Sequence, residues 1–318
     1  MDETAIIEKY LAPLAKKYDE SLALEDDAAV LNTNKKKKIV SVDNFIHGVH
    51  CPIGLRPDWS VKRAIFVAVS DLAAMAAKPY CMFLSISLPN KNCINKMKKI
   101  SIGIKSAITH TKLKLLGGDL CTYDGPLSYC VTVIGHQQKN KILTRKGAMP
   151  GDYLFITGTI GDAKLGLDCL KKKKTLSFGQ KKIVKKFLFP PLRHDLSISL
   201  SPYTKSCIDL SDGLLLDAGK LARYSGCGLK IESSSIPLSK YAQKILSKKK
   251  SYTIEELLIA GDDYELAFAV EKKNFNKIKK EARLKKIKLT LVGKFIKKAG
   301  TYLDNKKISR GYTHFNKI

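Results

Sequence analysis

Residues 65–75 read IFVAVSDLAAM, an apolar run interrupted by one acidic residue, Asp71. The spacing of the apolar residues predicts a helix over Val61–Ala77. A carboxylate inside such a helix must find a partner, because burying an unpaired charge is costly. No Arg or Lys stands at helical spacing to pair with it, and Lys78 lies beyond the predicted end of the helix. Asp71 is therefore a candidate functional residue.

On both sides of this helix, strand-like and helix-like segments alternate, which indicates a mixed α/β (α+β) fold. The expected strands are Lys38–Val42, Tyr80–Leu88, Leu113–Leu116, Leu127–Ile134, Tyr153–Thr157, Cys207–Leu210, Gly228–Glu232, Glu265–Val270 and Lys288–Val292. The other expected helices are Asn92–Thr109, Gly213–Tyr224, residues 273–284 and one that begins after Asp162. The chain turns polar around Lys139–Gly151. We therefore expect two domains, residues 1–138 and 139–318, each large enough for its own core.

Further aspartates stand at the edges of apolar segments. They are Asp26, Asp27, Asp43, Asp119, Asp209, Asp212, Asp262 and Asp263. Taken singly, each fits an ordinary turn or helix cap. If several of them converge, cations are required, because two like charges about 4 Å apart repel by roughly 4 kcal/mol at an effective dielectric near 20. Oxygen ligands with few Cys or His nearby favour Mg²⁺, which typically bridges carboxylates and nucleotide phosphates.

The glycine pattern also fits phosphate binding. Gly117-Gly118 lets backbone N–H groups approach a phosphate closely, and a helix beginning at Gly213 offers the positive end of its dipole. The sequence contains neither GxxxxGK[ST] nor the GxGxxG, HRD and DFG motifs of protein kinases. A P-loop enzyme and a protein kinase are therefore both excluded.

Composition restricts the other functional classes. The net charge is +28, but 50 of the 57 basic residues are Lys, in runs at residues 35–38, 171–174 and 248–250. Scattered Lys runs with few aromatic residues are typical of solvated surface, which weighs against a specific nucleic-acid partner. The eight Cys form no CxxC pair, which favours free thiols over structural zinc. No signal-peptide pattern or membrane-length apolar run is present, so we expect a cytoplasmic protein.

Ten short segments, in order along the chain, resemble the thiamine-monophosphate kinase family. They span about residues 24–315 and comprise Asp26-Asp27-Ala28-Ala29-Val30, Ser41-Val42-Asp43, Gly48-Val49-His50, VSDLAAM (69–75), Leu116-Gly117-Gly118-Asp119, LTRKGA (143–148), TGTIGD (157–162), IDLSDG (208–213), GDDYEL (261–266) and GYTHF (311–315). Each motif is weak by itself, whereas ten in family order form a strong pattern.

The resemblance implies a two-domain fold of the aminoimidazole-ribonucleotide synthetase type, paired as a homodimer through the N-terminal sheets. It implies direct in-line transfer of the γ-phosphoryl group of ATP to thiamine monophosphate, assisted by several Mg²⁺ ions. The residues that match the family's metal ligands are Asp27, Ser41, Asp43, Asp71, Asp119, Asp209 and Asp212. Its nucleotide contacts match Gly118, Asp119, Arg145 and Ser211, and Asp43, Asp119 and Arg145 are the expected catalytic groups. His50, Asp262 and Tyr312 match positions that face thiamine monophosphate.

Departures from the family pattern are few. Glu25 stands where a Gly is usual, Val42 replaces a Thr that often precedes Asp43, and Ala76 replaces a common Gly. The Arg that usually precedes Gly125-Pro126 is missing as well. These departures leave every core aspartate in place.

The nearest alternatives share the expected fold. A selenophosphate synthetase should carry a reactive Cys early in the chain, and the first 50 residues contain none. A hydrogenase-maturation dehydratase should end in a reactive Cys, whereas this sequence ends Phe-Asn-Lys-Ile. Purine-pathway synthetases lack the GDDYEL and Gly-Tyr-x-His-Phe pair. An alternative from another class is a basic nucleic-acid-binding protein that has kept an enzyme fold.

Overall fold

The computed structural model describes residues 22–23, 25–31, 37–138, 141–172, 175–247 and 252–308. Within these ranges the chain forms two β-sheets, each with helices packed against it. The mixed α/β architecture expected from the sequence is therefore confirmed. Among the described helices, none combines the length and the apolar character needed to cross a membrane.

The first sheet has five strands in the order β1-β2-β5-β3-β4. They are β1 (Ala29–Leu31), β2 (Lys38–Ile46), β3 (Ala77–Pro89), β4 (Lys114–Tyr123) and β5 (Ser128–Gln137). Neighbouring strands are antiparallel except β3 and β4, which run parallel. Alternate side chains along β2 and β5 are buried, including Ile39, Tyr129 and Val131, because only one face of this sheet carries a core.

Two helices, α1 (Pro57–Ala74) and α2 (Cys93–Thr111), pack on the core face of this sheet. Helix α1 starts earlier than predicted, since Pro57 is well tolerated in a first turn, where its missing N–H needs no partner. It also ends earlier, because Ala76 adopts a left-handed φ of 55° and the chain enters β3 at Ala77.

The second sheet has seven strands in the order β12-β11-β8-β10-β6-β9-β7, and only β11 and β8 are parallel neighbours. The strands are β6 (Tyr153–Thr157), β7 (Ser206–Asp209), β8 (Gly228–Ile231), β9 (Leu266–Val270), β10 (Leu289–Ile296), β11 (Gly300–Leu303) and β12 (Lys306–Ile308). The helices are α3 (Asp162–Lys171), α4 (Phe178–Leu188), α5 (His194–Leu200), α6 (Leu214–Tyr224), α7 (Lys240–Ser247), α8 (Ile254–Leu258) and α9 (Phe275–Leu284). The division of the chain at residue 138 stays a prediction.

Two segments differ from the sequence-based expectation. The short strand predicted at Leu113–Leu116 is the ten-residue strand β4, so Gly117-Gly118-Asp119 lies inside a strand and not in a turn. Gly118 permits this pairing, because a Cβ there would stand 2.0 Å from the carbonyl oxygen of Leu84 on β3. Helix α4, which a Ser177–Gln180 capping box begins, follows the Lys run at residues 171–174 and is not among the helices expected from the sequence.

The end of helix α1 lies between the two sheets. Ala73 and Ala74 belong to a buried cluster that includes Cys207 on β7 and Phe268 on β9. Because Asp71 is in the last turn of α1, it is carried to this junction, where residues from the second sheet can reach it.

Candidate active site

Three carboxylates from distant parts of the sequence meet at the junction of the two sheets. They are Asp27, just before β1, Asp71, in the last turn of α1, and Asp209, at the end of β7. One carboxylate oxygen from each lies within 4.8 Å of the others. Asp71, for which the sequence offers no partner in its own helix, thus meets two other carboxylates, those of Asp27 and Asp209. We call these three residues the acidic cluster.

The cluster is electrostatically unfavourable without a cation. Burial raises the pKa of Asp71 well above its usual value, and repulsion from neighbouring carboxylates raises it further. Burial and the charge of Asp27 likewise raise the pKa of Asp209. On the adjacent strand β2, burial and Asp27 raise the pKa of Asp43 to about 6. All three shifts have the sign expected where like charges are desolvated together.

Strand β2 supplies two of the predicted site residues. Ser41 and Asp43 are two residues apart, so both side chains point to the sheet face that packs against α1. The Ser41 hydroxyl donates a hydrogen bond to Oδ2 of Asp71. The structure therefore brings Asp27, Ser41, Asp43, Asp71 and Asp209 together.

Arg145 lies against this cluster. Its Nε and Nη2 donate to the two carboxylate oxygens of Asp27 at 3.1 and 2.5 Å, a bidentate ion pair. Its backbone N–H donates to Oδ1 of Asp26 at 2.6 Å. Burial opposes the charge of Arg145, but Asp27 outweighs burial and keeps the pKa of the guanidinium raised. A fork of donors in this place suits a phosphate as well as a carboxylate.

Asp119 and Gly118 are not brought to the acidic cluster within one chain. They lie on β4, three strands from β2, which corresponds to about 14 Å at a usual strand spacing of about 4.8 Å. Asp119 is paired in register with Ser85, whose side chain points away from the core face on which Asp43 lies. The roles predicted for both residues stay predictions.

Ser211 and Asp212 lie in the loop between β7 and α6, just after Asp209 of the acidic cluster. The Asp212 carboxylate accepts from Lys220 Nζ at 2.7 Å, and its N–H donates to Asp217 at 2.8 Å. Lys220 also pairs with the buried Asp217 at 3.0 Å. The next residue, Gly213, has a φ of 111°, which a side chain would strain. Asp212 thus lies beside the cluster with a Lys as its present partner.

The residues predicted to face thiamine monophosphate lie on both domains. His50 stacks on Phe45 with ring centroids 5.5 Å apart, and its Nδ1 accepts from the N–H of Ile46 at 2.9 Å. Asp262 has a left-handed φ of 67° and a side chain that is 32% exposed. Tyr312 lies outside the described residues.

Two basic residues of this region were missed by the sequence analysis. Arg63, on α1, is paired with Asp262, and Lys220, on α6, is paired with Asp212. The signal for Arg63 was present, because it is a charged residue within the same apolar helix as Asp71. Its partner is 199 positions away in the sequence, which no local pattern reveals.

The acidic cluster fits Mg²⁺. Its donors are carboxylate oxygens and one hydroxyl, the hard ligands that this ion prefers. Ligands about 2.1 Å from an ion lie no more than about 4.2 Å apart, so the observed oxygens need to move only slightly. A divalent cation would also remove the repulsion that raises the pKa values of Asp71 and Asp209.

The fold and the site together define a class of protein, namely two-domain α/β chains with an acidic site at the domain junction. The sequence matches the families described as AIR synthase related protein, N-terminal domain, over residues 25–137 and C-terminal domain over residues 149–305. A thiamine-monophosphate kinase of Buchnera aphidicola subsp. Schizaphis graminum is 33% identical, over 99% of both chains. The kinase of Aquifex aeolicus is 30% identical, over 96% of this chain and 97% of its own. The chain belongs to the thiamine-monophosphate kinase family.

Solved structures agree with this assignment. AaThiL complexed with AMPPCP and TMP superimposes with a TM-score of 0.87 at 29% identity, over 99% of this chain and 97% of that one. Thiamine-monophosphate kinase from Stenotrophomonas maltophilia K279a gives a TM-score of 0.80, over 96% and 98%. The HypE chain of a HypE–HypF complex reaches 0.77 at 18% identity, over 96% and 99%, and shares the fold.

Proposed function

We propose that this chain transfers the γ-phosphoryl group of ATP to the phosphate of thiamine monophosphate, giving ADP and thiamine diphosphate. The observation that carries the proposal is the acidic cluster of Asp27, Asp71 and Asp209, which joins the two domains in a member of this kinase family. The proposal includes a cytoplasmic location, where both substrates would be met.

The chemistry asks little of the protein beyond positioning and charge neutralisation. An oxygen of the acceptor phosphate attacks the γ-phosphorus, and the bond from that phosphorus to the β–γ bridging oxygen breaks, so that ADP leaves. The acceptor is already anionic, so no strong general base is needed. The difficulty is to bring two polyanions together in line. In this proposal Arg145 neutralises phosphate charge, and Gly118 and Ser211 contact the nucleotide.

Mg²⁺ bound here would neutralise charge on the phosphates of both substrates. The residues proposed to hold it are Asp27, Ser41, Asp43, Asp71 and Asp209, with Asp119 and Asp212 as further ligands. Asp43 and Asp119 are also proposed as catalytic residues. Asp212 must first give up its ion pair with Lys220, and Asp27 must share or release Arg145.

Thiamine monophosphate would lie between the two domains, contacting His50, Asp262 and Tyr312. The Nδ1 of His50 accepts a backbone hydrogen bond from Ile46, which helps to fix the orientation of the imidazole ring. Asp262 suits the cationic ring system of thiamine, because it is a carboxylate at the edge of the site.

We also propose that the chain forms a homodimer through the first sheet. Val42, Thr132 and Phe83 form a row across β2, β5 and β3, on the face opposite the core. Val42 is 58% exposed and Phe83 is 40% exposed, so an apolar face is open to a second copy. Asp119 lies on the same face, so its proposed role in the site depends on the second copy.

The dimer is tested by sedimentation analysis. We expect Phe83→Lys to lower the mass from dimer to monomer, because a charge would be buried in the interface. Ile94→Lys is the matched control, since Ile94 is 74% exposed on helix α2. A wild-type protein that sediments as a monomer at micromolar concentration would contradict the dimer without affecting the reaction.

The reaction is tested with purified protein, ATP, Mg²⁺ and thiamine monophosphate, with thiamine diphosphate as the measured product. Asp43→Asn should lower the rate strongly. Asp195→Asn should leave it unchanged, because Asp195 is 72% exposed at the start of α5. If wild-type protein binds ATP but forms no thiamine diphosphate, the acceptor is instead a different substrate used within the superfamily.

A further inference from the structure

Arg63 is a buried cation that lies outside the acidic cluster. It is on helix α1 and is 1% exposed. Its guanidinium carbon lies 4.0 Å from the centre of the Phe187 ring, 5.8 Å from that of Tyr264 and 6.0 Å from that of Phe45. A cation buried among aromatic rings is costly unless its N–H groups are paired, so its hydrogen bonds indicate what it is for.

Two groups of Arg63 donate in two different directions. Nη1 donates to the carbonyl oxygen of Phe187 at the end of α4, and Nη2 donates to Oδ1 of Asp262. The first bond anchors the guanidinium to the second domain, and the second bond aims it at the candidate substrate residue. Lys cannot reproduce this arrangement with a single ammonium group, whereas the planar fork of Arg can.

The backbone of Asp262 is already held without Arg63. Its N–H donates to the carbonyl oxygen of Ser211 at 2.8 Å, and the N–H of Tyr264 donates to that of Leu210 at 2.9 Å. Both Asp262 and Tyr264 have left-handed φ angles, 67° and 48°, so the loop is held in a strained conformation. What the backbone does not determine is the direction of the Asp262 carboxylate, which Arg63 contacts.

We propose that Arg63 is a positioning residue that orients the Asp262 carboxylate toward the cationic end of the phosphate-bearing substrate. This inference rests on the proposed function. The carboxylate is 32% exposed, so it can accept from a ligand while one oxygen stays bound to the buried Arg63. Arg63 itself is too deeply buried to meet the substrate, and its effect passes through Asp262. The residue thus contributes to selection of the acceptor, not of the nucleotide.

The test is a double-mutant cycle on Arg63 and Asp262, with two readouts. The first is the dissociation constant for thiamine monophosphate, measured by calorimetry without ATP. The second is the KM for each substrate in the assay for thiamine diphosphate. Arg63→Met should weaken thiamine monophosphate about 10- to 100-fold, as for loss of a hydrogen bond to a charged group. The KM for ATP should change less than about threefold.

Two further variants separate positioning from general structural damage. In the Asp262→Asn background, Arg63→Met should weaken binding less than about threefold, because Arg63 acts through that carboxylate. Arg63→Lys should weaken binding nearly as much as Arg63→Met. Arg56→Gln is the matched control and should leave both constants unchanged, since Arg56 precedes the same helix and is 59% exposed.

The outcomes separate this inference from the proposed function. If Arg63→Met weakens ATP and thiamine monophosphate alike, or is fully additive with Asp262→Asn, the positioning role is overturned. The positioning role is also overturned if the Arg63→Met variant has the same kcat and the same KM for thiamine monophosphate as the wild type. If wild-type protein neither binds nor phosphorylates thiamine monophosphate, the proposed function fails and takes this inference with it.

Discussion

Removing one carboxylate from the acidic cluster should stabilise the metal-free protein. At a separation of 4.8 Å, two ionised carboxylates repel by about 3 kcal/mol at an effective dielectric near 20. The folded protein either bears this cost or keeps Asp71 protonated, which agrees with its raised pKa. We therefore expect Asp71→Asn to raise the free energy of unfolding by about 3 kcal/mol at pH 7.5 without Mg²⁺.

The gain should depend on pH with a definite sign. Since the pKa of Asp71 is raised in the folded state, the folded protein binds more protons than the unfolded chain above about pH 4. Wild-type stability is therefore lost as pH rises from about 4 toward the folded pKa, and the variant lacks this loss. The difference in free energy of unfolding between Asp71→Asn and the wild type should therefore fall to near zero at about pH 4.

Urea denaturation in EDTA, repeated with Mg²⁺, measures both effects. Mg²⁺ should stabilise the wild type and leave Asp71→Asn nearly unchanged. The matched control is Asp217→Asn, because Asp217 is a buried carboxylate that is paired with Lys220 and accepts the N–H of Asp212. That variant should lose about 1–3 kcal/mol. If Asp71→Asn is destabilised in EDTA as Asp217→Asn is, the cluster is a structural network and the reasoning is refuted.

Three further predictions concern neighbouring features. Arg145→Gln should lower kcat about 10²- to 10³-fold in steady-state kinetics, with Arg283→Gln on α9 unaffected; a change below twofold would contradict a role in phosphate neutralisation. Gly213→Ala should lower the free energy of unfolding by about 2–3 kcal/mol, because its Cβ would lie 2.8 Å from a backbone oxygen. Gly226→Ala, with a φ of 68° but open space around it, should cost only about 1 kcal/mol; equal costs would refute the clash. The thermal shift produced by Mg²⁺ should grow between pH 5 and pH 7, since the pKa of Asp43 is about 6 and metal binding releases its proton; a shift independent of pH would oppose this.

Much of the fold could be predicted from local pattern. The alternation of buried and partly exposed residues marks β5, a short apolar run marks β6, and the apolar run around Asp71 marks α1. Local pattern failed where pairing with another strand extended an element. Strand β4 continues through Gly117-Gly118-Asp119 because β3 supplies hydrogen bonds along its whole length, which residue types alone do not indicate.

For the site, the sequence determined which groups are present. The aspartates, Arg145 and the order of the motifs are properties of the chain itself. Aspartates that converge predict a Mg²⁺ site, and the resemblance carried by the ordered motifs implies the phosphoryl transfer. Local chemistry alone was not sufficient, because each aspartate taken singly also fits a turn or a helix cap, and only the set of motifs in family order carried the functional prediction.

Only the tertiary structure decided which of these groups meet. Asp27, Asp71 and Asp209 converge because α1 ends between the two sheets, whereas Asp119 is carried to the opposite face of the first sheet. Arg63 and Asp262, 199 positions apart, pair because α1 packs against the second domain. Contacts of this kind depend on packing between elements that are remote in sequence, and the energy of that packing has no local signature.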